Sequence, residues 1–210
     1  MKYEYAKVVD SPYKATDRPS LVMVPEQRFI TIHGEGNPNG PDFADRTGVL
    51  YPIAWGIKMG FKKAHATDPN ASSSSTAPFD DFTVFPLEGW WSMTGDDSTN
   101  KDAYIYDLMI GQPDFVSSEM FELARAKAAD KHPNPLFGEV TFGTISGGLS
   151  VQMLHRGPYD DEPASFAKMA EFCAASGLQR LTPEHREIYL GDPRKTAPEK
   201  LRTILRFTVR

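Results

Sequence analysis

The sequence predicts an α/β (α+β) fold: two pseudo-twofold-related lobes, each of antiparallel strands with a long helix, enclosing a cleft. Three observations carry this. The order strand–strand–helix–strand–strand occurs twice along the chain, the pattern of a duplicated unit. The first helical stretch bears apolar residues on two neighbouring faces, which implies burial on two sides. The 210 residues are 40% hydrophobic and 24% charged, which argues against disorder and suffices for one large domain or two small lobes.

The first lobe spans about 20–110. It opens with Ser20-Leu21-Val22-Met23-Val24, a turn at Pro25-Glu26, and Arg28-Phe29-Ile30-Thr31-Ile32-His33. Both runs are β-rich, and the short gap suggests a hairpin. A Gly/Asn/Pro loop (34–41) leads into a helix from about Asp42 to Lys63. Its stripe Phe43, Thr47, Leu50, Ala54, Ile57 and Phe61 should pack on its own sheet, and Tyr51, Trp55 and Met59 lie on a neighbouring face. Pro52 should kink this helix. The Ser-rich stretch 67–78 reads as a mobile loop, and strands follow around Phe82–Trp91 and Ala103–Ile110.

A helix around Ser117–Asp130 links the halves, and Pro133 and Pro135 mark its end. The second lobe, about 138–209, repeats the plan. Glu139–Ile145, a Gly147-Gly148 turn and Leu149–His155 form a second hairpin candidate. A helix from Pro163 to Ser176 starts with a proline suited to a first turn. His185–Leu190 and Leu201–Val209 supply the last strands.

Several chemistries are disfavoured. The net charge of −5 gives no concentrated basic surface for nucleic acid, and the basic residues from Arg194 to Arg210 read as solvated surface. No run approaches the ~20 apolar residues that span a bilayer. The single cysteine, Cys173, excludes an intramolecular disulfide and fits a reducing compartment. With no apolar run in Met1–Tyr5 to act as a secretory signal, a cytoplasmic location is expected. Gly34-Glu35-Gly36-Asn37-Pro38-Asn39-Gly40 has the wrong spacing for a dinucleotide loop. The five histidines show no i, i+4 pair, so neither metal nor cofactor is expected. No G-x-S-x-G elbow is present, and Cys173 falls mid-helix among apolar neighbours. Asp160, Asp161 and Glu162 read as a solvated helix start.

The remaining constellation is aromatic and acidic. Phe82, Phe85, Trp90 and Trp91 occupy one strand and its end, with Trp90 and Trp91 expected on opposite sides. In His185–Leu190, alternation puts His185, Glu187 and Tyr189 on one face, and Arg186, Ile188 and Leu190 on the other. Alternation alone leaves open whether Glu187 faces the space between the lobes or solvent.

At these residues the sequence resembles the GyrI-like small-molecule-binding family. The carrying stretches are Val151–Pro163, Glu187–Lys195, Leu201–Arg206 and Pro86–Trp91. The resemblance implies one GyrI-like domain over 1–210, a duplicated module with a ligand cleft, aromatic walls and an acidic residue. The long first helix and the Trp-Trp strand resemble the stand-alone branch, the cyclopropanoid cyclopropyl hydrolases. One departure is Arg186, where many relatives are expected to carry a second histidine beside His185. Two readings follow: a hydrolase that detoxifies planar cyclopropanoid-type xenobiotics, or a protein that sequesters drugs without turnover. A third is protein interaction such as gyrase modulation. The resemblance implies Glu187 and Tyr189 as catalytic residues and Tyr51, Trp55, Trp90, Trp91 and Phe166 as ligand-binding residues. The implied partner is a planar apolar small molecule; the oligomeric state stays open.

Overall fold

The computed structural model describes residues 1–67, 79–94 and 100–210. The serine-rich stretch expected as a mobile loop falls, from residue 68 on, outside the described residues. The elements, in chain order, are β1 (Lys2–Tyr3), β2 (Ser20–Val24), β3 (Gln27–Glu35), α1 (Pro41–Thr67), β4 (Asp81–Phe82), β5 (Leu87–Met93), β6 (Tyr104–Gln112), α2 (Ser118–Lys131), β7 (Thr141–Ile145), β8 (Gly148–Arg156), α3 (Glu162–Ser176), β9 (His185–Tyr189) and β10 (Arg202–Thr208). β1 and β4 form a small parallel pair. The other strands make one antiparallel sheet of eight, ordered β2-β8-β10-β9-β5-β6-β3-β7.

That order is symmetric about its centre. Outward from β9 lie β10, β8 and β2, and outward from β5 lie β6, β3 and β7. The two expected hairpins are the main correction. β2 does not pair with β3, nor β7 with β8; β2 pairs with β8, and β3 with β7. The ladder keeps one register across both bends, from Val24 opposite Gly148 to Gln27 opposite Ile145. The cause is local. A two-residue hairpin needs positive φ in its turn, and the proline ring of Pro25 holds φ negative. The chain therefore bends and runs on. At the crossing, a Cβ on Gly147 would lie 1.9 Å from the Val24 carbonyl oxygen, so only glycine fits.

α1 packs on β3 and β6, burying Leu50, Ala54, Ile57 and Phe61 against Ile30, Ile32, Leu108 and Ile110. The helix continues through Pro52. Its second packed side is not the expected one. α2 takes that place, with Ala124 beside Gly56, while Trp55 and Met59 stay half exposed. α3 packs on β8 through Met169 and Cys173, which cluster with Val151, Met153, Leu205 and Phe207. Because cross-strand partners share a face, the registers place α1 and α3 on the same side of the sheet, over its two halves. The central strands β5 and β9 lie between them.

The back of the sheet holds a buried polar cluster. Arg186 Nε and Nη2 lie 2.6 and 2.5 Å from Glu88 Oε2, and the Tyr13 hydroxyl donates to Glu88 Oε1 at 2.8 Å. Arg206 donates to Gln152 Oε1 and to the Pro12 carbonyl. These bonds tie the segment around Pro12–Tyr13 to the sheet.

Candidate functional site

The space over β5 and β9 is a cleft of about 2240 Å³. Drug-sized ligands fill roughly 300–1,000 Å³, so the cleft admits a long ligand or a ligand with water. One wall is α1, presenting Phe43, Thr47, Tyr51 and Trp55. The other is the start of α3 with Tyr159, Glu162 and Phe166, and the segment 190–195 closes a side. The floor is Leu87 and Trp91 on β5 with His185, Glu187 and Tyr189 on β9.

Strand alternation sets this floor. Gly89 stands opposite Glu187, and Trp91 opposite His185. A Cβ on Gly89 would lie 2.4 Å from Trp91 Nε1 and 3.1 Å from the Tyr189 hydroxyl. The glycine thus leaves room for the indole to reach across and donate to Tyr189 Oη at 2.9 Å. Phe43, Tyr104 and Tyr106 enclose Trp91, with ring centroids at 5.9, 5.7 and 5.2 Å.

Glu187 is the hub. Its Oε1 lies 3.0 Å from His185 Nε2, and its charge acts on the neighbouring Tyr189 hydroxyl and Glu162 carboxyl. Only 8% of Glu187 is exposed, and 6% of Glu162. Burial first, and then the Glu187 charge, pushes the Glu162 carboxyl up to about 10. Glu162 is therefore protonated at neutral pH. Burial first, then the charges of Glu187 and Glu162, raises the Tyr189 phenol well above its ordinary value. Burial, then Glu187, likewise pushes Tyr159 up to about 12. Tyr189 accepts from Trp91 and lies beside Glu187. Tyr159 makes only a ring contact with Tyr189, at 5.7 Å, and no hydrogen bond among the described residues.

Of the residues singled out in the sequence, Tyr51, Trp55, Trp91, Phe166, Glu187 and Tyr189 line this one cleft. Trp90 does not. Strand alternation turns it to the back, where it lines a separate small cavity and donates to Glu184 at 3.3 Å. Arg186 also points to the back, toward Glu88, and so lies outside the cleft.

Glu162 is the residue that sequence reasoning missed, and its reading as solvated surface is corrected. Asp160 and Asp161 are exposed, and Asp160 pairs with Lys101 at 2.9 Å. The short turn Tyr159–Asp161 brings Glu162 over the sheet as the first residue of α3. A signal was present, since Glu162, Ser165, Met169 and Cys173 form a buried stripe at helical spacing. His155, with one nitrogen at 2.9 Å from Ser165 Oγ and the other at 3.0 Å from the Pro158 carbonyl, fastens this turn to β8.

Residues 18–210 match the family model of the GyrI-like small-molecule-binding domain. A conserved protein from Listeria innocua is 34% identical, with a TM-score of 0.86 over 99% of this chain and 100% of that one. A hydrolase from Listeria innocua is 34% identical, with a TM-score of 0.84 over 100% of both chains. A further Listeria innocua hydrolase structure is 33% identical, with a TM-score of 0.82 over 99% of this chain and 100% of that one. Among curated proteins none matches. Among the described residues no helix is long and apolar enough to cross a membrane. With a matching domain model over nearly its whole length and relatives that share its fold from end to end, the chain belongs to the GyrI-like small-molecule-binding family.

Proposed function

We propose that this protein is a hydrolase that opens planar cyclopropanoid xenobiotics, a detoxifying reaction, with Glu187 as general base. The observation that carries the reading is a carboxylate, Glu187, at the floor of an aromatic-walled cleft, 3.0 Å from His185 Nε2 and beside Tyr189 and Glu162. Hydrolase relatives at 33–34% identity support it.

In a cyclopropane conjugated to a dienone, water oxygen bonds to a ring carbon and the ring carbon–carbon bond breaks. The released electron pair passes through the dienone to its oxygen, giving a phenolate that is then protonated. The ring supplies the strain, so the protein has to hold the plane, orient water, take one water proton and stabilise the new oxygen charge. Tyr51, Trp55 and Phe166 offer apolar surface for the plane, worth about 25 cal/mol per Å² buried before ordering costs. Glu187 takes the proton. Tyr189, held by the Trp91 indole, stands beside the carboxylate. Tyr159 keeps its proton at neutral pH and can donate to the developing phenolate.

The test is incubation with a cyclopropyl-dienone compound in ¹⁸O-labelled water, followed by mass spectrometry. The expected product is the ring-opened phenol bearing one labelled hydroxyl. Intact compound recovered in complex with the protein would replace hydrolysis with sequestration.

A further inference from the structure

Cyclopropane opening uses the base but leaves one feature idle: a second carboxyl that carries a proton beside it. Glu162 lines the cleft and is buried, and its Oε1 has no hydrogen-bond partner among the described residues. A buried, unpartnered polar oxygen is costly unless a ligand satisfies it. A buried carboxyl with an unpartnered oxygen, beside a second carboxyl at the floor of an apolar cleft, suits a substrate that needs an acid and a base at one centre.

A dienone cyclopropane sends its charge to a remote oxygen and needs no acid at the ring. A three-membered cyclic ether carries comparable strain, but its oxygen leaves as an alkoxide unless it is protonated during opening. We propose that the Glu162–Glu187 pair also hydrates epoxides borne on flat aromatic frames, giving vicinal diols. The inference rests on the reading of Glu187 as the base. Water oxygen attacks one ring carbon from the face opposite the ring oxygen, and that carbon–oxygen bond breaks. The ring oxygen takes the Glu162 proton and becomes a hydroxyl, while Glu187 takes a proton from the water. Glu187 then carries the proton taken from water, and proton exchange through solvent returns one to Glu162. Atoms balance as epoxide plus water to diol, with no oxidant, metal or covalent intermediate.

The experiment uses the full chain with styrene oxide and phenanthrene 9,10-oxide in ¹⁸O-labelled water, beside the cyclopropyl dienone. Diols are read by chromatography and mass spectrometry against a buffer blank. Wild type is expected to form singly labelled diol well above the blank, the phenanthrene diol being trans. Glu162→Gln should lower the epoxide rate by at least about 100-fold, with a smaller loss on the dienone, and Glu187→Gln should lower both. Dienone opening without any diol would overturn the inference and leave the proposed function standing. Diol formation with the dienone untouched would do the reverse. A Glu162→Gln protein that hydrates epoxide at the wild-type rate would remove Glu162 as the acid. Should that variant not fold, the wild-type diol yield and its stereochemistry decide alone.

Discussion

Glu162 holds its proton because burial and the neighbouring Glu187 charge both oppose ionisation. Its pKa in the fold stands above the ordinary 4.5, so its contribution to stability is complete below that value and is lost as pH rises toward about 10. Glu162→Gln removes the titration but keeps a donor toward Glu187. Relative to wild type, the variant should gain on the order of 2 kcal/mol or more between pH 5 and pH 9, read from urea denaturation at both. Parallel pH dependence of the two proteins would show that Glu162 does not titrate in this range. At this scale the sequence was informative wherever a strand period could be counted. Period two put His185, Glu187 and Tyr189 together and turned Arg186 away, although it could not choose the cleft over solvent. The same rule places Trp90 opposite Trp91 and so away from the cleft. Glu162 was hidden because three consecutive acids resemble a solvated cap; only the helical spacing to Met169 and Cys173 marks it as buried.

Elements were legible in number and place, and less so in pairing. A hairpin and a pair of strands that run on past one another have the same local β pattern and the same two-residue gap. The difference lies in which φ values Pro25 allows and in the contact of Gly147 with a strand distant in sequence. Packing between β5 and β9 is fixed from both faces. Trp91 and Tyr189 bond across Gly89 on the cleft side, and Arg186 pairs with Glu88 on the back. Arg186→Met should cost about 3–5 kcal/mol, because it strands a fully buried Glu88 carboxylate. Adding Glu88→Leu should recover a large part of that loss, as replacing both partners removes the unpaired charge. Equal stability of Arg186→Met and wild type, by chemical denaturation, would mean that the pair does not hold the strands.

Across the whole molecule, the symmetric sheet places α1 and α3 on one side and leaves its two central strands uncovered between them. α1 and α3, one from each half of the chain, flank the gap in which Glu187 and the aromatic walls meet. We propose that this gap is catalytic and that Glu187 is its base. Glu187→Gln keeps the shape of the side chain and most of the wall contacts while abolishing proton acceptance. Affinity and turnover measured on one cyclopropyl-dienone compound, by tryptophan fluorescence and product formation, separate the two roles. Affinity should stay near wild type while turnover falls by ~10²–10⁴. Turnover by Glu187→Gln at the wild-type rate would contradict the account.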